Sequence, residues 1–249
     1  MSIFQKIADV LRAAAGKDMA PPTSAIIAAA GSSTRMGGEI SKQFLEIDGV
    51  PVLSRTLLAF AECAYIDEIV VAIRPDDQEA LFRLKEQYGI EKPFKVVSGG
   101  ATRAESVRNA FEVIDKKSKF VAIHDGARCL ITPDMIREVL RAAYRHNAAT
   151  AACTVTDTVK LSTERGYIER TVDREKVYLA QTPQAFHVKL YRAALASADG
   201  ADFTDDNQLI ERLGVPVKLV DTSADNIKIT RPEDIGRAEE IIEKRRAKP

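Results

Sequence analysis

Residues 25–31 read Ala25-Ile26-Ile27-Ala28-Ala29-Ala30-Gly31, an unbroken apolar run that stops at a glycine. A strand needs apolar residues without alternation when helices cover both faces of its sheet, so this stretch predicts a buried parallel strand running into a loop. Pro21-Pro22 bounds it on the upstream side. Downstream the rhythm returns with new residues. Val52, Leu53, Thr56, Leu57 and Phe60 share a helix face, residues 68–73 are strand-like, 76–88 helical and 94–97 a strand. Thr102 and Glu105 form a capping box for a helix whose buried face is Val107, Ala110, Phe111 and Ile114. Residues 120–124 are another apolar strand. Thr132-Pro133 then supplies an N-cap and a first-turn proline for a helix facing inward with Ile136, Val139, Leu140 and Ala143.

Strands alternating with helices over the first 150 residues imply an α/β protein with a mostly parallel sheet and helices on both faces. Ligands in such sheets sit beyond the carboxyl ends of the strands, here Gly31, Ser98-Gly99-Gly100 and Asp125-Gly126. The rhythm changes after Thr150. Residues 154–161, 167–172 and 177–181 read as three strands with no helix between the first two, which predicts an antiparallel β-arm over about 154–181. Helices at 187–198 and 204–213, a strand at 217–220 and a last helix after Thr230-Arg231-Pro232-Glu233 complete the chain.

The chain has 249 residues with 36 Lys+Arg against 36 Asp+Glu. A zero net charge disfavours a long nucleic-acid partner, because each phosphate neutralised needs a cation. Three cysteines and three histidines, none at metal-ligand spacing, indicate neither a disulfide framework nor a zinc site. A reducing, cytoplasmic setting follows. No apolar run approaches the ~20 residues of a membrane span. Residues 1–22 place Ile3, Phe4, Ile7, Val10 and Leu11 among charges, which reads as an amphipathic helical extension rather than a secretory signal. The principal domain is therefore 23–249.

Three strand-end clusters can carry chemistry. The loop Gly31-Ser32-Ser33-Thr34-Arg35-Met36-Gly37-Gly38 leads to Lys42; small residues let backbone N–H groups approach an anion, and Arg35 and Lys42 add cations. It matches neither a P-loop nor a dinucleotide fingerprint, and a plain surface turn is the competing reading. His124-Asp125-Gly126-Ala127-Arg128 closes another strand; its carboxylate can hold Mg²⁺ or cap the following turn. His124 is read as packed rather than catalytic. Ser98-Gly99-Gly100 with Arg103 and Ser106 forms the third strand-to-helix junction, where Ser106 faces the cleft or merely decorates the helix. Apart from these strand ends, in Asp225-Asn226-Ile227-Lys228-Ile229-Thr230, read as a short strand, Lys228 points away from its flanking isoleucines, toward solvent or an anion. Thr204 reads locally as an N-cap, and Thr230 with Glu233 as a capping box.

In order along the chain, the blocks Ala28-Ala29-Ala30-Gly31 with Arg35-Met36 and Lys42-Gln43, then His124-Asp125-Gly126-Ala127-Arg128, Thr171-Val172-Asp173-Arg174, Gln181-Thr182-Pro183-Gln184 and Asp225-Asn226-Ile227-Lys228 closely resemble the 2-C-methyl-D-erythritol 4-phosphate cytidylyltransferases of the non-mevalonate isoprenoid pathway. The resemblance runs from about Ser24 to Arg246. It implies a Rossmann-like nucleotidyltransferase fold and transfer of CMP from CTP to the sugar-alcohol phosphate, with Mg²⁺ and release of pyrophosphate. Carried over, Arg35 and Lys42 are the catalytic cations, and Ala29, Ala30, Gly31, Gly100, Ser106, Gly126 and Arg128 line the nucleotide. Asp125 sits beside the metal. Lys228, Thr204 and Thr182 meet the sugar phosphate. Thr158 and Arg174, on the arm, reach the neighbouring subunit of a homodimer. Cys129 departs from the family's usual proline, Ala101 from a polar residue after the glycines, and Asn207-Gln208 from Ala-Ser.

No Ser-His-Asp or Cys-His constellation is present, and none is required, since the attacking phosphate oxygen is already anionic. What the reaction needs is in-line positioning and stabilisation of negative charge. Ribitol 5-phosphate cytidylyltransferases share most of these blocks and remain a competing reading, as does a nucleotide-binding regulatory protein without turnover. A glycosyltransferase is disfavoured by the lack of an Asp-x-Asp pair after the 120–124 strand.

Overall fold

The computed structural model describes residues 20–31, 41–198, 203 and 205–247. The expected N-terminal helix, the glycine-rich loop with Arg35, and Thr204 lie outside these residues. The chain runs β1 (Thr23–Ala28), a 3-10 turn at Lys42–Phe44, the small hairpin β2 (Glu46–Ile47) and β3 (Val50–Pro51), then α1 (Val52–Glu62), β4 (Glu68–Ile73) and α2 (Gln78–Gln87). It continues through β5 (Phe94–Ser98), α3 (Arg103–Phe111), β6 (Phe120–Asp125), α4 (Pro133–His146) and β7 (Ala148–Thr154). The last part comprises the hairpin β8 (Lys160–Ser162) and β9 (Ile168–Thr171), β10 (Tyr178–His187), α5 (Val188–Ala196), α6 (Asn207–Arg212), β11 (Lys218–Asp221) and α7 (Glu233–Arg246).

β1 lies inside a seven-stranded sheet of order β11-β7-β10-β6-β1-β4-β5. Register places Ala28 beside Ala72 of β4 on one side and Asp125 of β6 on the other. Alternate residues of each central strand serve opposite layers, as the two-residue strand period requires. Ile27, Val71 and Ala122 pack under Leu57 and Phe60 of α1 and Val139 and Leu140 of α4. Ile26, Val70 and Ile123 pack under Val107 and Phe111 of α3 and Tyr191 of α5. A third cluster joins Ile47, Cys129, Leu130 and Ile229 to α7 through Ile241 and Ile242. Cys129, at the position where proline is usual, is buried there, and the Arg128 N–H still closes the turn on the Asp125 carbonyl at 2.9 Å.

The structure departs from the expected elements after residue 147. β7 runs through Ala148–Thr154, where alanines, which favour helix over strand, hide the strand. The long β10 is not an arm strand over most of its length but enters the main sheet antiparallel, between β7 and β6. The projecting arm reduces to the exposed β8–β9 hairpin and its flanks. No strand forms around Lys228; Ile229 is instead anchored by its N–H to the Ala127 carbonyl at 2.8 Å. Of the two capping boxes, Thr102 accepts from the Glu105 N–H at 3.1 Å, but the Glu105 carboxylate reaches the Ala101 N–H rather than that of Thr102. At α7 the acceptor is Asp234, not Glu233, and it holds the N–H groups of both Thr230 and Arg231.

Gly99, just past the end of β5, has a steric reason to be glycine: a Cβ there would stand 2.1 Å from the Ala30 Cβ. Gly99→Ala is expected to cost about 1–3 kcal/mol of stability through overpacking. Gly236, inside α7 with open space around it, is the contrast; Gly236→Ala is expected to add roughly 0.5–1 kcal/mol. Urea titration of both variants checks the pair.

Candidate active site

A cleft of about 590 Å³ opens beyond the carboxyl ends of β1, β4, β5 and β6. Its walls include Ala30, Gly31, Lys42, Gly100, Ser106, Asp125 and Lys228. Here the parallel strands deliver their ends side by side, so residues far apart in sequence meet without long side chains having to reach.

Asp125 closes β6 and is the electrostatic centre. Lys228 Nζ stands 2.7 Å from its Oδ2, Arg103 Nε donates to its Oδ1 at 3.0 Å, and Arg128 Nε lies 3.8 Å from Oδ2. Burial alone would raise the Asp125 carboxyl, but Lys228 and Arg103 overturn that and hold it well below the usual carboxylate range. The group is therefore a fixed anion among three cations. With the buried Asp206 also set against Arg103, the cluster keeps a net positive charge, and Lys228 and Arg103 bring it to the cleft wall.

A buried hydrogen-bond chain fixes this strand end from behind. The Asp125 N–H donates to Thr182 Oγ1 at 3.0 Å, and Thr182 Oγ1 lies 3.0 Å from His124 Nδ1. His124 Nε2 meets the Arg128 carbonyl at 3.2 Å, and a carbonyl can only accept. The imidazole thus carries its proton on Nε2 and accepts from the Thr182 hydroxyl at Nδ1. Arg128 Nη1 donates to the Asn226 carbonyl at 2.8 Å, and Asn226 Nδ2 donates to Gln181 Oε1 and to the Thr182 carbonyl, both at 2.9 Å. The segment carrying Lys228 is in this way tied to β6 and β10.

The opposite wall is backbone. Gln43, buried, donates through Nε2 to the Ala29 carbonyl and thereby holds the end of β1 against the 3-10 turn that presents Lys42. Ser106 Oγ accepts from the Gly100 N–H at 3.0 Å and donates to the Thr102 carbonyl at 2.9 Å, bracing the Gly99-Gly100 turn.

The sequence-derived site residues separate into groups. Ala30, Gly31, Lys42, Gly100, Ser106, Asp125 and Lys228 come together on the cleft wall. Ala29, Gly126, Arg128 and Thr182 stand behind it: the Ala29 N–H bonds to the Ala72 carbonyl, Gly126 packs against Ala29, and the Thr182 hydroxyl is spent on Asp125 and His124. Thr158 and Arg174 are exposed on the arm, away from this wall, with Arg174 Nη1 on the Thr156 carbonyl at 2.8 Å. Arg35 and Thr204 lie outside the described residues. The sequence places Arg103 at the Gly99-Gly100 junction without giving it partners, and it assigns no role to Asp206. One signal is available for Arg103: a cation in the first turn of a helix opposes the macrodipole, which favours a nearby carboxylate as its partner. Among the described residues no three His, Cys, Asp or Glu groups gather as a metal site.

A nucleotide-sized cleft at the strand ends of a doubly covered sheet, with cations gathered on one carboxylate and, among the described residues, no Cys or His on its wall, is the arrangement of a nucleotidyltransferase. The IspD family model, described as 2-C-methyl-D-erythritol 4-phosphate cytidylyltransferase, matches residues 23–244. The 2-C-methyl-D-erythritol 4-phosphate cytidylyltransferase of Caldanaerobacter subterraneus subsp. tengcongensis is 44% identical over 226 residues, covering 89% of this chain and 99% of the relative. Among solved structures, the 4-diphosphocytidyl-2C-methyl-D-erythritol synthase of Anaerococcus prevotii superposes with a TM-score of 0.79 at 34% identity, over 89% of this chain and 98% of that one. The Thermus thermophilus 2-C-methyl-D-erythritol 4-phosphate cytidylyltransferase gives 0.71 at 35% identity, over 89% and 99%. The chain belongs to the 2-C-methyl-D-erythritol 4-phosphate cytidylyltransferase family.

Burial pushes His124 down to about 3, against about 6.5 for an exposed imidazole. Between those two values the unfolded chain holds a proton that the folded one does not, so His124 lowers stability as pH falls through this window. Histidine titration by NMR is expected to show the His124 ring neutral and Nε2-protonated at pH 5; a ring that titrates between pH 6 and 7 contradicts the assignment.

Proposed function

We propose that the chain transfers CMP from CTP to 2-C-methyl-D-erythritol 4-phosphate, giving 4-diphosphocytidyl-2-C-methyl-D-erythritol and pyrophosphate in non-mevalonate isoprenoid biosynthesis. The observation that carries this reading is the Asp125 cluster: Lys228 and Arg103 on the two oxygens of one carboxylate, beside the backbone turns at Gly31 and Gly100.

In the reaction a phosphate oxygen of the sugar-alcohol phosphate attacks the α-phosphorus of CTP. The P–O bond to the β-phosphate breaks, and pyrophosphate leaves with its electron pair. No proton has to be removed from the attacking oxygen, so the reaction asks for no base, and Asp125, the carboxylate on the described wall, is occupied by Lys228 and Arg103. Two polyanions must be brought into contact, and their repulsion is the main obstacle. Lys42 lies on the nucleotide side of the cleft and Lys228 on the side of the acceptor phosphate. Arg35 belongs with Lys42 on this reading. Backbone N–H groups of the Gly31 turn add donors that need no reorganisation during the reaction, while the Gly99-Gly100 turn, its N–H groups spent on the Ile73 carbonyl and Ser106 Oγ, shapes the wall.

Asp125 is the one carboxylate on the described cleft wall, and both its oxygens already face cations. That donor set suits Mg²⁺ arriving with the triphosphate and held largely by phosphate oxygens, with Asp125 beside it; it does not suit an ion held by protein alone. Asp125 would stand beside such an ion, which would supply neutralisation of charge on the phosphates.

The arm carries the remaining part of the reading. Tyr167 and Ile168 are 72% and 67% exposed on the β8–β9 hairpin, and Leu179 is 55% exposed nearby. Apolar residues at such exposure support a homodimer formed through the arm, with Thr158 and Arg174 serving the partner's cleft and Thr182 and Thr204 helping to shape the acceptor side. A cytoplasmic setting belongs to the same proposal; the three cysteines are unpaired and buried, and among the described residues no helix is long and apolar enough to cross a membrane.

Lys42→Ala is expected to depress the rate of pyrophosphate release ~10²-fold or more in a coupled assay with CTP, Mg²⁺ and the sugar phosphate. Near-normal turnover contradicts the role of Lys42, and faster release with ribitol 5-phosphate contradicts the acceptor. Mixing Lys42→Ala with Arg174→Ala subunits tests the shared site. Hybrid dimers contain one intact composite site, so activity is expected to return to roughly a quarter of wild type after exchange; a mixture no more active than its components contradicts the crossing arm.

A further inference from the structure

The Arg103 guanidinium spans two carboxylates, only one of which touches the cleft. Nε donates to Asp125 Oδ1 at 3.0 Å, and Nη1 donates to Asp206 Oδ2 at 2.7 Å. Asp206 is 3% exposed, stands outside the cleft wall and is itself held on three sides. Its Oδ1 accepts the Tyr191 hydroxyl at 2.6 Å, and its N–H donates to Gln184 Oε1 at 2.9 Å. Tyr191 is wedged between Phe111 and Phe186 in the core. The Arg103 fork is therefore anchored at its buried end by an immobilised acid and acts at its other end on the acid of the site.

This geometry has a consequence for Asp125. One of its oxygens belongs to Arg103 and the other to Lys228, so the plane of the carboxylate and the place of the Lys228 ammonium are fixed together. Without the Arg103 bond, Asp125 can turn about its terminal torsion and present both oxygens to Lys228, drawing the ammonium off the acceptor phosphate. A lysine at 103 cannot substitute fully, since one point charge does not bridge two carboxylates as a planar fork does.

We propose that Arg103 is a positioning residue for the transfer reaction: held by Asp206, it sets the orientation of Asp125 and, through it, of Lys228 where the two phosphates meet. The inference rests on the cytidylyl-transfer reading given above. Because displacement of aligned groups by about 1 Å can cost ~10²-fold in rate, the effect is expected in kcat.

Steady-state kinetics of Arg103→Gln, Asp206→Asn, the double variant and Arg103→Lys, with CTP affinity measured by calorimetry and melting temperature recorded for each, provide the test. Both single variants are expected to lose ~10- to 100-fold in kcat with CTP affinity within about threefold of wild type. The double variant is expected to lose no more than Arg103→Gln alone, because Asp206 acts only through Arg103. Arg103→Lys should recover part of the loss. Additive losses, an unchanged kcat in Asp206→Asn, or a loss confined to CTP affinity in the Arg103 variants overturn the proposal. Should Arg103→Gln fail to fold, Tyr191→Phe removes only the hydroxyl bond to Asp206; a kcat decline of about threefold or more supports the chain of contacts, and an unchanged kcat overturns it. A wild-type chain that releases no pyrophosphate at all contradicts the transfer reading instead, which keeps the two failures apart.

Discussion

A carboxylate taken out of water is stable only among partners, and most of this site follows from meeting that condition at Asp125. The idealised cost of moving such an ion into a low-dielectric interior is of order 20 kcal/mol, and several kcal/mol remain after relaxation. Lys228 and Arg103 at hydrogen-bond distance, with Arg128 slightly further away, meet it. Each cation comes from a different part of the chain: the loop before α7, the first turn of α3, and the turn after β6. Folding thus assembles a positive cleft as a by-product of satisfying one buried anion. The charge balance of 36 against 36 gives no hint of it, because the excess is local.

The sheet makes the assembly possible. β1, β4, β5 and β6 run parallel, so their ends and the loops that leave them share one rim. β10 runs the other way beside β6, and that reversal brings Thr182 under Asp125 in mid-strand while its neighbour Gln181 meets Asn226. An antiparallel strand within a parallel sheet therefore gives the site its rear support: Thr182, which the family pattern places with the substrate, spends its hydroxyl on Asp125 and His124.

Much of this is legible in the residues. Glu68–Ile73 reads as a strand with its observed bounds because an all-apolar interior with β-branched residues has few other uses. The strand ends at Gly31, Gly100 and Asp125 are legible as the ligand rim from topology alone. What escapes has physical reasons. β7 is built of alanine, threonine and cysteine, and its small side chains fit a tightly packed sheet without announcing a strand. The pairing of β10 with β6 joins residues more than fifty positions apart, which no local pattern records. Asp206 looks like one member of an acidic loop until Tyr191, Gln184 and Arg103 close around it. Alternation around Lys228 suggests a strand; the loop that carries it keeps the alternation without the ladder.

Cytidylyl transfer between two phosphates asks for little covalent chemistry and a great deal of placement, and the site has that character: fixed cations, braced turns and a neutral buried histidine. The central claim is that the cations gathered on Asp125 are where the acceptor phosphate and the nucleotide meet. A crystal structure with CTP, Mg²⁺ and the sugar-alcohol phosphate tests it most directly. The account predicts the triphosphate over the Gly31 turn and Lys42, and the acceptor phosphate within hydrogen-bond reach of Lys228, beside Asp125. Phosphates bound away from the end of β6, with Lys228 still paired only to Asp125, would contradict it.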